Sequence, residues 1–219
     1  MSKPHWDRSG LTTAEQEAAL SVLELLTHRC PVAVPQQLQR LMELTCAPSD
    51  ARSLPRILAS LQRSGLMQRR EMMAQPLLPL TQPLIDWFPG APLPPVARVA
   101  WQLRRRWNQK VFRCDVIHAT PVARQMMCGT CCPTLSAPGK LTHDLHLTEV
   151  YLRHLARQQD FVWQHEQELS LLGWLQEYAR LPDALVDGVA VDVGGKYSAA
   201  KLKDLHRCYR HRELPYQLW

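Results

Sequence analysis

Seven prolines, Pro76, Pro79, Pro83, Pro89, Pro92, Pro94 and Pro95, fall between residues 76 and 95. Proline fixes φ and lacks a backbone N–H, so neither a continuous helix nor a central strand can run through this stretch. It is expected to be a connector that separates two modules. On that reading residues 1–75 form the first module, 76–110 the connector with a basic helix, and 111–219 the second. A chain of 219 residues has room for two such units, each with its own core.

The first module reads as three short helices and a hairpin. Thr13-Ala14-Glu15-Gln16 has capping-box spacing, and Ala19, Val22, Leu23 and Leu26 follow on one helical face. Leu38, Leu41 and Met42 mark a second helix. Leu54, Ile57, Leu58 and Leu61 mark a third, opened by Ser49 or Asp50 and stopped at Gly65. A hairpin is expected around Met67–Met73. Arg52, Arg56 and Arg63 share one solvent face of the third helix, and Arg69 and Arg70 would sit on the hairpin. Three helices followed by an arginine-bearing hairpin is the layout of a winged helix-turn-helix, whose last helix enters the DNA major groove. A solvated charged face is the plainer reading of the same arginines.

The charge balance agrees with a polyanionic partner: the formal net charge is +6 and the isoelectric point is near 9.1. In the helix expected over 96–107, Val99, Trp101, Leu103 and Trp107 alternate with Arg104, Arg105 and Arg106, a run suited either to a phosphate backbone or to the wet side of a packed helix. No apolar run is long enough for a membrane span, and the first residues lack a signal-peptide pattern, so a cytoplasmic location is expected.

The last third is the most informative. A helix is expected from His143 to about Gln158, capped by Thr142, with Glu149 among Leu145, Leu152 and Leu155. A carboxylate among leucines needs a partner, a polar cleft or a cation. Phe161-Val162-Trp163 reads as a strand and 171–178 as a helical insertion. Two further strands, led by Asp183 and containing Asp192, meet at an Asp187-Gly188 turn. Ser198 starts a helix carrying Leu202, Leu205 and Tyr209, with Lys203, Arg207 and Arg210 outward, and residues 215–219 form a closing strand.

This order, αβββαβ, resembles the core of the PD-(D/E)-x-K nuclease superfamily, with Pro182-Asp183 at its Pro-Asp and Asp192 at its second acid. The resemblance implies that carboxylates on adjacent strands bind Mg²⁺ or Mn²⁺, which activates water. Gly194 stands where the superfamily has lysine, which leaves Lys196 or Lys201 to serve. Leu141-Thr142-His143-Asp144-Leu145, Glu149-Val150-Tyr151, Pro182-Asp183-Ala184, Val189-Ala190-Val191-Asp192 and Lys196, with the tract ending Trp87-Phe88-Pro89-Gly90, are also similar to the replication-relaxation family. That family places a winged helix before a nuclease-like domain and includes the C-type relaxases of mobilisable plasmids. Its members commonly carry Glu-x-Glu where this chain has Asp192-Val193-Gly194.

The resemblance implies an α+β protein that is a metal-dependent DNA endonuclease or nickase in plasmid or mobile-element mobilisation or replication. Asp183, Asp192, Lys196, Lys201 and Glu149 would be its site, and other mobilisation or replication proteins its companions. A catalytically degenerate DNA-binding accessory protein is the alternative. Tyr151, Tyr178, Tyr197 and Tyr209 lack the paired histidines of tyrosine relaxases. The seven cysteines suggest reduced thiols. Cys114, His118, Cys128 and Cys131 have spacings that a structural zinc site accepts, with His143 and His146 as other ligands, although packing of small thiols in a loop explains them as well.

Overall fold

The computed structural model describes residues 10–47, 51–133, 138–174 and 180–219. Helix α1 (Thr13–Glu24) is capped one residue earlier than expected. The Thr12 hydroxyl accepts from the Glu15 amide and the Glu15 carboxylate accepts from the Thr12 amide, a complete capping box. A π-helical turn, Leu25–Arg29, follows, then α2 (Pro35–Thr45), with proline at its first position where no N–H is needed, and α3 (Leu54–Arg63). Gly65, at φ 68°, adopts the left-handed conformation that ends the helical run. The expected α3 cap, Ser49 or Asp50, lies outside the described residues.

The hairpin expected over Met67–Met73 does not form. Those residues belong to one strand, β1 (Met67–Ala74), which pairs antiparallel with the distant β3 (Phe112–Ala119), from Met67↔Ala119 to Ala74↔Phe112. The physical reason is in the residues: Met-Gln-Arg-Arg-Glu-Met-Met has no Gly, Asn or Asp to take the positive φ of a tight hairpin turn. Ala33, between α1 and α2, bridges Ile117 on β3.

Residues 75–111, between β1 and β3, cross to a second sheet and return. They contribute β2 (Ile85–Trp87) and α4 (Val96–Arg106). β2 sits at the edge of a five-stranded sheet ordered β2, β7 (Tyr216–Leu218), β6 (Val189–Asp192), β5 (Ala184–Val186) and β4 (Trp163–His165), where flanking prolines are tolerated. The proline tract is therefore an excursion that joins the two sheets, and β3, expected in the second module, completes the first.

The remaining elements are α5 (Pro121–Met127), α6 (Pro138–Arg157), β4, α7 (Glu166–Leu171), β5, β6, α8 (Ala199–His211) and β7. Helix α5 is not expected from the sequence; from α6 onward the expected helices and strands recur in order, with the helical insertion displaced toward β4. β4, β5 and β6 are antiparallel, and β7 returns parallel to β6. Thr142 does not cap α6, which starts at Pro138; its hydroxyl donates to the Pro138 carbonyl and accepts from the Gln75 amide. The expected 171–178 insertion falls on the end of α7 and partly outside the described residues.

One apolar cluster runs from Leu23 and Ile57 through Val150 to Trp163 and Val191, so α6 is shared by both sheets. Polar bonds cross the same seam. The Gln37 amide donates to the Leu145 carbonyl at 2.8 Å, and Thr148 donates to the Val32 carbonyl at 2.6 Å. No helix among the described residues is long and apolar enough to cross a membrane.

Candidate active site

The β5–β6 hairpin turns at Asp187 (φ 48°) and Gly188 (φ 82°), the two positive-φ residues that a tight turn with the right-handed twist of its strands requires. Its register pairs Ala184 with Val191, and one step further places Asp183 opposite Asp192 on the same face. Asp183 Oδ2 accepts from the Val193 amide at 2.7 Å, and the Asp192 side chain is fully buried. The two acids named from the sequence thus lie opposite each other across the hairpin, Asp192 buried and Asp183 partly exposed.

Each acid already faces a cation. His143 Nε2 lies 2.8 Å from Asp183 Oδ2, and His143 Nδ1 lies 3.2 Å from Asp144 Oδ1, which also takes Lys140 at 3.2 Å. Arg180 donates to Asp192 Oδ1 at 2.7 Å and the Tyr209 hydroxyl donates to Oδ2 at 2.6 Å. Burial and the nearby Asp183 charge push Asp192 up to about 6, against the pull of Arg180 and Tyr209. Burial opposes ionisation of Asp183 too, but His143 outweighs it and holds that acid below its usual range. Burial works against charging His143; the adjoining Asp183 and Asp144 overcome it and raise the imidazole to about 10, so it is an imidazolium at neutral pH. His165 nearby has no such partner bond and is driven by burial down to about 4, hence neutral.

The lysines and Glu149 are placed differently from the expectation. A Cβ built on Gly194 would come within 2.7 Å of Leu103 Cδ2, so α4 fills the space that a lysine there would need. Lys196 is exposed and lines a cavity of about 260 Å³ with His143, Thr142, Trp107 and Gly195. Lys201 places its ammonium 3.7 Å from the Tyr197 ring centroid, and desolvation followed by the Arg180 charge lowers its pKa. Glu149 is bound by Arg40 of α2 at 2.6 and 2.7 Å and approached by Arg153 at 3.4 Å, so it latches α6 to α2. Tyr209 is buried and its hydroxyl is engaged by Asp192, and burial raises its pKa; Tyr178 lies outside the described residues. His143 and Arg180 are the site residues that the sequence reading missed in this role. The signal for Arg180 was its place three residues before Asp183 at the mouth of β5.

Two carboxylates are hard-oxygen donors of the kind Mg²⁺ and Mn²⁺ take, so Asp183 and Asp192 fit a divalent ion in donor chemistry. His143 and Arg180 supply the compensating charge in its place, and no group of three or more His, Cys, Asp or Glu that could hold a metal occurs among the described residues. The four zinc candidates do not form one site. Cys114 and His118 are four residues apart on β3, about 13 Å by strand geometry, whereas ligands of one tetrahedral zinc sit about 4 Å apart. Cys131 is buried against the chain at Thr27 and Cys128 is exposed at the left-handed end of α5. Packing explains Cys131.

The arginines expected to contact DNA divide into two kinds. Arg56 is paired with Glu15 and Arg69 with Asp115, while Arg70 donates to Gln68. Arg52 and Arg63 are exposed. On α4, Arg104 and Arg105 are exposed and Arg106 is half-buried, its pKa lowered by desolvation.

No protein-family model, curated protein or solved structure matches the chain.

Proposed function

We propose that the chain is a DNA-binding protein with a nuclease-type carboxylate pair, a metal-dependent endonuclease or nickase of a kind used in mobilisation or replication of mobile elements. The observation that carries this reading is the meeting of Asp183 and Asp192 across the β5–β6 hairpin. The order α6-β4-α7-β5-β6-α8-β7, with β7 parallel to β6, supports it, because with α7 taken as an insertion between the first two strands it gives the αβββαβ arrangement in which such pairs occur. For the front of the molecule, the order α1, Ala33 bridge, α2, α3 and β1, with β1 paired to β3 across residues 75–111, supports a winged-helix reading.

A divalent ion held by Asp183 and Asp192 would polarise water and offset charge at phosphorus. The chain's own part is electrostatic. Lys196, exposed on the wall of the cavity that His143 also lines, presents positive charge to an incoming phosphate. Relaxation of supercoiled plasmid tests the reading: Mg²⁺ or Mn²⁺ should support nicking, and Asp183→Asn or Asp192→Asn should abolish it. Plasmid left intact with every divalent ion overturns it.

Leu103 in the lysine's space and the pairing of Asp192 with Arg180 and Tyr209 favour a second reading, a catalytically degenerate DNA-binding accessory protein. Salt-dependent DNA binding without cleavage would select it.

A further inference from the structure

Between Asp86 and Asp115 the chain has no acidic residue, yet it carries Arg98, Arg104, Arg105, Arg106, Lys110 and Arg113. Arg113 is paired with Glu71 at 3.2 Å, but none of the four α4 arginines has a carboxylate partner among the described residues. The helical step places Arg98, Trp101, Arg104 and Arg105 within about 120° of arc. That arc faces away from the core, since α4 buries Val99, Ala100 and Leu103. Trp101 is 56% exposed, and the Arg105 guanidinium lies 4.7 Å from its ring centroid. A large exposed indole is unfavourable in water and has no packing role here.

The arc also leads to the acids. α4 ends at Trp107, whose indole N–H donates to the Gly194 carbonyl at 2.6 Å, and Trp107 walls the cavity that holds His143 and Lys196.

We propose that this arc of α4 binds an unpaired DNA strand, with Trp101 as a stacking platform for a base and Arg98, Arg104 and Arg105 on the phosphates. The proposal rests on reading the chain as a DNA binder and adds the form of the DNA. Aromatic faces set among unpaired cations suit single strands, because every base offers a π-face and every nucleotide a charge, whereas a duplex hides its base faces. A base stacking on Trp101 displaces the Arg105 guanidinium toward the flanking phosphate, so both groups remain engaged.

The test is fluorescence anisotropy of a labelled short oligothymidylate with the full chain, in EDTA and at low salt. Trp101→Ala should weaken binding about tenfold, within the range measured for loss of one stacked base, while Trp101→Phe keeps most of the affinity. Arg105→Ala should weaken it and flatten the salt dependence by about 0.7 in the log–log slope. A duplex of the same length should bind without sensitivity to Trp101. Unchanged binding by Trp101→Ala, or equal loss on duplex, overturns the proposal. Absence of any DNA binding overturns both it and the DNA reading. Single-strand binding that needs Trp101 in a protein that never nicks plasmid leaves the proposal standing and removes only the nuclease.

Discussion

Three arginines of the front elements, two on α2 and α3 and one on β1, look like those of α4 in the sequence and differ from them in what they face. Arg40, Arg56 and Arg69 each meet a carboxylate, Glu149, Glu15 and Asp115. Arg98, Arg104, Arg105 and Arg106 meet none among the described residues. A guanidinium already matched by an acid adds little attraction for phosphate, because its field is largely cancelled at short range. Residues 75–111 carry five basic residues against one acid, Asp86, so much of the net charge of +6 lies on the excursion, although Arg52 and Arg63 at the front of the chain are also exposed.

The comparison can be broken most severely at Arg40. Glu149 keeps only 5% side-chain exposure, so Arg40→Ala leaves a buried carboxylate with only the longer Arg153 contact and should lower unfolding free energy by about 3 kcal/mol in urea denaturation, without loss of DNA affinity. Next in size is Gly194→Ala, whose methyl meets Leu103 and should destabilise by about 2 kcal/mol; pairing it with Leu103→Ala should relieve the clash and leave a cavity instead. The Arg104→Ala, Arg105→Ala double variant should do the opposite of Arg40→Ala, lowering single-strand affinity about tenfold with an unchanged melting temperature. If Arg56→Ala weakens DNA binding as much as that double variant does, the division between tied and free arginines fails.

The acid pair adds a pH dependence of its own. His143 is raised from an ordinary 6.5 to about 10, so its pairing with Asp183 stabilises the fold fully below about 6.5 and loses that contribution as pH rises through about 10. Asp192, raised from 3.8 to about 6, acts in a different window: its burial disfavours ionisation, so its contribution declines between those values as pH rises. Denaturation of wild type and His143→Gln should differ at neutral pH and converge above about 10. A constant gap across that window would contradict the pairing.

Local features were legible in the sequence. Asp187-Gly188 made its turn, Ser198 capped α8, and the Pro182-Asp183 and Asp192 positions met, because register follows from a short hairpin. Long-range pairing was not legible. β1 finds β3 across residues 75–111, and neither strand's periodicity encodes that partner. Glu149 announced that it needed a partner but not that Arg40 of α2 would be it. Gly194 read as a missing lysine, whereas the contact that explains it comes from Leu103 on a helix ninety-one positions earlier.

Manganese titration followed by electron paramagnetic resonance tests most directly whether the acid pair is a metal site. One Mn²⁺ bound by wild type at neutral pH and lost in both Asp183→Asn and Asp192→Asn is the predicted result. Free Mn²⁺ signal undiminished by wild-type protein, or equal uptake by the two asparagine variants, would contradict it.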